Sequence, residues 1–370
     1  MIFLFIVILL FILYSILIIY YWQGWLAVPD YIPGVKPTTK ISVIIPARNE
    51  EENIGSLLKR LNEQAYPKDL FEVIVVDDHS TDRTASVAQK FPFVRLLQLK
   101  DENINSYKKR AIETGIATAS GELIVTTDAD CLPSKEWLQT IASFYNETQA
   151  AFIVAPVVFE NNNSILEIFQ SMDFLVLQGI TAASVYKNIH SMCNGANLAY
   201  ERKVFYEAGG FAGIDKIASG DDMLLMHKIW KKYPGSINYL KSKDAIVVTQ
   251  PMKTWKEFIN QRIRWASKAS NYDDKRIFFV LLLVYVVNLS FLIMLIAAFW
   301  QPIFWIWLAG IWIAKTMIEF PFVYSVAGFF NKRSLMKYFF FFQPLHIFYI
   351  ISAGLFGQVG KYEWKGRRVR

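Results

Sequence analysis

Three acidic motifs and one basic-aromatic motif follow one another along the chain. They are Asp77-Asp78, Asp128-Ala129-Asp130, Gly220-Asp221-Asp222 and Gln261-Arg262-Ile263-Arg264-Trp265. A bare pair of carboxylates is common on any protein surface. Two of these sets, however, directly follow β-branched runs, Phe71 to Val76 and Leu123 to Thr127. Two carboxylates one residue apart on a strand-end turn suit a hard cation such as Mn²⁺ or Mg²⁺, held against phosphate oxygens. Together the motifs describe one site for a divalent metal, a nucleotide and a base.

The elements that must position these residues are legible from the pattern. Ile41 to Ile45 is a short apolar run ended by Pro46 and reads as a buried strand, followed by a turn at Ala47 to Glu50. Ile54, Leu57, Leu58 and Leu61 have helical spacing within residues 51 to 64. Phe71 to Val76 is a second strand, with Ser80 or Thr81 available to cap the helix after it. Val94 to Leu99 and Leu123 to Thr127 read as further strands, with a helix over Lys108 to Thr118 between them. Strands alternating with helices imply a mostly parallel α/β sheet. In such sheets ligands bind at the carboxyl ends of the strands, where both Asp77-Asp78 and Asp128-Ala-Asp130 fall. The second half is less regular: a strand over Ala151 to Phe159, a helix with an apolar face over Ile165 to Ser184, and turns at Asn194 to Asn197 and Gly209-Gly210.

Transfer of a sugar from a nucleoside diphosphate needs the leaving pyrophosphate neutralised, the nucleoside held and the acceptor hydroxyl deprotonated, and these motifs supply groups for each task. Plainer readings stand beside them. Asp77 also fits a turn terminus, Asp221-Asp222 an N-cap for the helix Met223 to Trp230, and Arg264-Trp265 an interfacial belt beside a membrane segment. Asn194 to Asn197 fits the edge of an acceptor site or an ordinary turn. Cys131 reads as a packing residue.

The strings Ser42-Val-Ile-Ile-Pro-Ala-Arg-Asn-Glu50, Val75-Val-Asp-Asp-His-Ser-Thr-Asp82 and Thr127-Asp-Ala-Asp130 resemble the inverting family-2 glycosyltransferases of GT-A fold. Gly220-Asp-Asp222 and Gln261-x-x-Arg264-Trp265 complete the set, in order, over residues 41 to about 266. The final motif is similar to that of membrane-embedded members making polysaccharides or glycolipids. The short chain, single N-terminal anchor and Trp364-Lys-Gly-Arg367 tail look most like the ceramide-, hopanoid- and carotenoid-glycosylating branch. The resemblance implies that Pro46, Arg48 and Glu50 lie by the nucleotide, that Asp78 binds uridine with Asp77 in support, and that Lys108 is near the nucleotide. It implies further that Asp128 faces nucleotide and metal, that Asp130 is the metal ligand, and that Asp222 is the general base. Gln261, Arg264 and Trp265 are implied at the diphosphate and the acceptor entrance, with Arg264 offsetting leaving-group charge. Many polymer synthases carry Glu-Asp where this chain has Asp221-Asp222, so either aspartate remains open as the base.

Composition adds the membrane. Of the 370 residues 54% are hydrophobic and 16% aromatic, which exceeds what an ordinary soluble domain needs. Residues 1 to 29 carry no charge, long enough to span a bilayer, and lack the basic n-region and cleavage site of a signal peptide. Residues 1 to 28 are therefore expected to be a transmembrane anchor. A GT-A domain is expected over 38 to 276, with an interfacial helix near 253 to 270. A membrane region of two or three helices over 277 to 360 and a basic tail over 361 to 370 would follow. Lys315 and Glu319, four apart, share a helix face and are expected to pair. Pro344 is expected to break the last apolar segment into a re-entrant or interfacial element, which keeps the tail on the cytoplasmic side.

The formal charge of +7 gathers beside the apolar segments, at Lys268, Lys275, Arg276, Lys332, Arg333, Lys337 and the tail. That distribution fits anionic headgroups and the positive-inside bias rather than nucleic acid. Two cysteines make no disulfide framework and suit a reducing compartment, and the four histidines show no metal-ligand spacing. The expectation is a multi-pass protein of the inner, cytoplasmic membrane with its catalytic domain in the cytoplasm. It would use a UDP-sugar donor, a membrane lipid acceptor and Mn²⁺ or Mg²⁺. The rivals are a processive polysaccharide synthase, disfavoured by few clear crossings, and a non-catalytic sugar-nucleotide-binding scaffold.

Overall fold

The computed structural model describes residues 2–34, 36–100, 106–160, 164–217, 219–267, 274–359, 362–364 and 367–369, with side chains through 357. Its strands in chain order are β1 (Ile41–Ala47), β2 (Phe71–Asp77), β3 (Val94–Gln98), β4 (Leu123–Thr126) and β5 (Leu132–Pro133). They continue as β6 (Phe152–Val154), β7 (Val157–Phe159), β8 (Leu198–Glu201), β9 (Ile237–Tyr239) and β10 (Val247–Thr249). The helices are α1 (Ile2–Ala27), α2 (Ile54–Asn62), α3 (Thr84–Ala88), α4 (Tyr107–Thr118), α5 (Trp137–Thr148) and α6 (Ile165–Tyr186). After them come α7 (Arg202–Glu207), α8 (Met223–Lys232), α9 (Trp255–Ala266), α10 (Lys275–Ala298), α11 (Ile303–Phe329) and α12 (Phe339–Val359). The chain divides into two compact units, one of Met1–Ala27, Asn161–Ile189 and Pro251–Tyr362, the other of Val28–Glu160, His190–Gln250 and Glu363–Arg370.

The α/β unit is built on a seven-stranded sheet of order β3-β2-β1-β4-β8-β6-β9. β1 pairs in parallel with β2 and β4, and β2 with β3, while β8 runs antiparallel to β4 and β6. The mostly parallel half follows from its connections, because each helical crossover returns the chain in the same direction. Val43, Ile44, Ile45 and Val73 to Val76 have no exposed surface, so both faces of these central strands are covered. Gly115 on α4 permits this, since a Cβ there would stand 2.6 Å from Ile44 Cγ2.

Pro46 lies inside β1 instead of ending it. The Ile44 carbonyl accepts from Thr127 N, on the β4 side, and the Ala47 carbonyl from Asp78 N, on the β2 side. By alternation the Pro46 nitrogen faces the β4 side, past the end of that strand, where no ladder hydrogen bond is lost. Ala151 to Phe159 divides at Pro156 into β6 and β7, which join different sheets. Neither Ser80 nor Thr81 caps α3: Asp82 Oδ1 accepts from Thr84 N, while the Ser80 hydroxyl and the Thr81 amide pair with Asn49.

The second unit is helical. Among the described residues five helices are long and apolar enough to cross a membrane: α1, α6, α10, α11 and the stretch Arg333–Gly357, which takes in most of α12. α6, an apolar-faced helix in the sequence pattern, belongs to this unit. Capping boxes start α6 and α9, Ser164 with Glu167 and Thr254 with Glu257. Small residues let the helices approach closely: Cβ atoms added at Gly179 and Gly354 would stand 2.6 Å from Val326 and Tyr285.

Lys315 and Glu319 pair at 2.7 Å, with Tyr14 and Gln343 also bonded to Glu319. Pro344 does not break its segment, because α12 continues through it for 21 residues. Proline is tolerated in apolar helices where neighbours satisfy the freed backbone. Lys268, Gly360, Lys361, Lys365, Gly366 and Arg370 lie outside the described residues, and the tail is described as backbone alone at 362–364 and 367–369.

Candidate active site

β1 lies between β2 and β4, so the carboxyl ends of all three strands open at one edge of the sheet. Ala47 pairs with Asp77 there, Asp78 follows directly, and Asp128 comes two residues after β4. Asp77 and Asp78 are both buried. Arg48 Nη1 donates to the carbonyls of Asp78 and His79 at 2.8 and 3.0 Å and lies 4.0 Å from Asp78 Oδ1. His79 Nδ1 is 2.9 Å from the same carboxylate oxygen, and its ring meets Tyr107 edge-on at 5.8 Å. Asp77 Oδ1 is buried without a hydrogen-bond partner among the described residues, an arrangement that costs free energy until a donor meets it.

Glu50 and Pro46 complete this edge. The Glu50 amide donates to Thr84 Oγ1 at 2.8 Å, and its carboxylate accepts from Asn53 Nδ2 at 2.7 Å. Asn49 and His79 both hold left-handed backbone, φ 52° each. Such residues cost energy in open loops and tend to mark functional turns.

The first turn of α4 gathers the remaining acids. Lys108 Nζ lies 2.6 Å from Asp128 Oδ1 and 3.2 Å from Asp221 Oδ2, so one cation joins the second and third motifs. Burial alone would lower the Lys108 ammonium, but Asp128 and Asp221 together raise it above the usual lysine value. The neighbouring Lys109 turns inward, and its Nζ donates to the carbonyls of Ile217 and Ser219. The Ser106 hydroxyl donates to the Asp215 carbonyl. The segment before Gly220-Asp221-Asp222 is thereby fastened to the start of α4. Gly220 takes φ +84°, a conformation that an L side chain would strain.

Asp222 Oδ1 accepts from Met223 N at 2.7 Å, so the N-cap geometry is present at the start of α8. Capping does not exclude chemistry at the other oxygen. Gly195, from the turn at Asn194 to Asn197, sits against both acids. A Cβ there would stand 3.1 Å from Asp221 Oδ2, 3.3 Å from Lys108 Nζ and 3.7 Å from Asp222 Cβ. Asn197, fully buried, bonds Trp137 Nε1 and the carbonyls of Pro156 and Ala245, which fixes the end of that turn.

Asp130 Oδ2 lies 3.4 Å from Thr249 Oγ1 on β10, and Oδ1 lies 3.6 Å from Cys131 Sγ. Burial, then Asp130 and Asp128, push the Cys131 thiol well up, as suits a packing residue. Among the described residues no group of three or more His, Cys, Asp or Glu forms a complete metal cage. Asp128 and Asp130 instead offer a partial set of hard oxygen donors, and this fits Mn²⁺ or Mg²⁺ shared with substrate phosphates.

Gln261, Arg264 and Trp265 lie on α9 in the helical unit. Gln261 Oε1 accepts from Arg262 Nη1 at 2.8 Å, Arg264 lies in the last turn of the helix, and Trp265 packs 6.4 Å from the Phe174 ring. Sequence reasoning passed over Thr249, Tyr107, Arg262 and Asp173. Thr249 lies 119 positions along the chain from Asp130, Tyr107 meets the His79 ring from another element, and Arg262 fills an x position of its motif.

Residues 42–209 match the family described as Glycosyl transferase family 2. The probable glycosyltransferase YdaM of Bacillus subtilis (strain 168) is 30% identical over 246 residues, 65% of this chain and 57% of that protein's length. Glycosyltransferase AglE of Haloferax volcanii is 29% identical over 231 residues, 60% of this chain and 71% of that protein. Among solved structures, the mannosyltransferase PcManGT from Pyrobaculum calidifontis, in complex with GDP-Man and Mn²⁺, matches with a TM-score of 0.57 at 21% identity. The match covers 96% of this chain and 98% of that one, and it speaks to the fold. Motif order, sheet topology and family match agree on residues 42–209, which carry a Glycosyl transferase family 2 domain on a GT-A fold.

Proposed function

We propose that this protein transfers a sugar, with inversion, from a nucleoside-diphosphate sugar to the hydroxyl of a membrane lipid, with a UDP-sugar as donor. The observation that carries the reading is Lys108 held between Asp128 and Asp221 at the strand ends, in a chain whose described residues include five long apolar helices. In this reading Asp78, supported by Asp77, Arg48, Glu50 and Pro46, holds the nucleoside. Lys108 holds the diphosphate side, and its existing ion pairs keep it charged. Asp222 accepts the acceptor proton as the hydroxyl oxygen bonds to the anomeric carbon, and the bond from that carbon to the diphosphate oxygen breaks. Asp221 is the other candidate base; its pairing with Lys108 favours Asp222. Asp128 and Asp130 would hold Mn²⁺ or Mg²⁺, which when bound supplies charge neutralisation at the diphosphate. Gln261, Arg264 and Trp265 take the roles that the resemblance implies, at the diphosphate and the acceptor entrance.

A lipid acceptor is supported by the helical unit, whose exposed apolar side chains include Phe278, Phe279, Trp300 and Ile306. The same unit supports a membrane location, in this reading the cytoplasmic membrane with the α/β unit in the cytoplasm. A processive polysaccharide synthase gains from the fifth apolar helix, α6, which the charge-free runs alone do not reveal. The deciding experiment is release of UDP from UDP-sugars by detergent-purified protein with Mn²⁺, with and without total lipid extract. Lipid-dependent release with a new glycolipid supports the proposal. A growing water-soluble polymer supports the synthase, and UDP binding without turnover overturns both.

A further inference from the structure

Arg262 fills one of the two unspecified positions of the Gln-x-x-Arg-Trp motif, so the motif gives it no task. In the structure its guanidinium has partners both on α9 and on α6. Its Nη1 donates to Gln261 Oε1 at 2.8 Å and its Nη2 to Asp173 Oδ2 at 2.6 Å. The guanidinium carbon lies 4.2 Å from the centre of the Trp265 ring and 4.7 Å from that of Phe258. One planar group therefore touches two motif residues at once, by a hydrogen bond to one and a cation–π contact to the other.

Asp173 on α6 fixes the other end of this arrangement. The two side chains are 4% and 2% exposed. Asp173 Oδ1 accepts from the Tyr349 hydroxyl on α12, and His346 Nε2 lies 3.8 Å away. The next residue, Phe174, sets its ring beside Trp265. Phe258, Tyr349, Phe169, Leu166 and Ala353 close an apolar cluster around the pair.

Such a pair is a poor way to hold helices together. Desolvating both charges costs about as much as their attraction returns, and apolar residues of similar volume often do as well or better. What an apolar pair cannot do is fix the rotamers of a glutamine amide and an indole together. Lysine cannot do it either, since it lacks the planar fork. We propose that Asp173 and Arg262 are positioning residues that hold Gln261 and Trp265, and with them the end of α9 bearing Arg264, in the orientation required for transfer. The inference rests on the reading that Gln261, Arg264 and Trp265 serve that transfer.

The test uses the full chain in detergent, with UDP-glucose, UDP-galactose and UDP-N-acetylglucosamine as donors, Mn²⁺ and total lipid extract. kcat, donor KM and the unfolding midpoint are measured for R264A, R262K and the double variant D173L/R262M. The double variant leaves no buried unpaired charge, so its midpoint should stay within a few degrees of the parent. Its kcat should fall on the order of tenfold to a hundredfold, the effect of misplaced groups, with donor KM within about twofold. R262K should lose kcat in the same way while keeping the charge. A double variant with parental kcat overturns the inference, provided R264A is impaired. Should the double variant unfold, parental kcat in R262K overturns it instead. Parental turnover in R264A overturns the underlying reading of the motif, whatever the pair variants do.

Discussion

The two charge clusters of this molecule are built on opposite plans. At the strand ends of the α/β unit one ammonium, Lys108, is divided between two acids, Asp128 and Asp221, and stays partly open to solvent. In the helical unit the buried acids Asp173 and Glu319 each have a cation of their own, Arg262 and Lys315, and these groups are almost wholly buried. The first plan leaves negative charge that a further cation or a rearranged lysine must meet, as a site that takes up a metal and a diphosphate requires. The second is closed, since a charge left over in an apolar unit costs several kcal/mol. An open cluster suits turnover, and a closed one suits geometry.

That contrast is broken most directly at the acids of the open cluster. Asp222→Asn should lower lipid-dependent UDP release by about two to four orders of magnitude, the usual loss for a general base. Asp130→Asn should cost about 10²- to 10³-fold, and excess Mn²⁺ should restore part of it if the carboxylate shares the cation with substrate. Asp221→Asn should be milder than Asp222→Asn, because Lys108 keeps Asp128 as a partner. The reverse ranking, read from kcat at saturating donor, would reassign the base to Asp221.

Within the closed plan the Lys315–Glu319 pair, which touches no residue of the Gln261–Trp265 motif, should answer in stability and leave the chemistry nearly untouched. Lys315→Met alone strands Glu319 among Tyr14 and Gln343 and should cost about 3 kcal/mol. The pair Lys315→Met with Glu319→Gln should recover most of that loss, since the amide keeps hydrogen bonds to the same neighbours. Unfolding midpoints in detergent give the comparison. A double variant as unstable as the single one would mean that the charges, and not their mutual neutrality, hold α11 in place.

How much of this was legible in the sequence differs between the units. The strand-end acids were, because hydrophobic period and chain order alone put Asp77-Asp78 and Asp128-Asp130 at one edge of a parallel sheet. So was the Lys315–Glu319 pair, where i,i+4 spacing on one helix face suffices. The bond from Thr84 N to Asp82 at the start of α3 was obscured by Ser80 and Thr81, which satisfy Asn49 across a loop and are lost to the helix. α6 was legible as a helix but not as part of the helical unit: Gln170, Asp173 and Gln178 dilute its apolar run, yet all three are buried there. The Asp173–Arg262 pair joins residues 89 positions apart, a separation that no local pattern encodes.

The smallest expected effect sharpens the comparison from inside the open cluster. Gly195 brings backbone against Lys108 and Asp221, and the Cβ of Gly195→Ala would stand 3.3 and 3.1 Å from their charged atoms. Both neighbours are side-chain ends, so a shift of a few tenths of an ångström relieves the contact at about 1 kcal/mol. Because an open cluster must let Lys108 move between acids and substrate, that cost should appear chiefly as about a fivefold rise in donor KM. Stability should change little, since the apolar core beneath the turn is untouched. If the unfolding midpoint falls while donor KM stays at the parental value, Lys108 is as fixed as Arg262, and the strand-end cluster is closed after all.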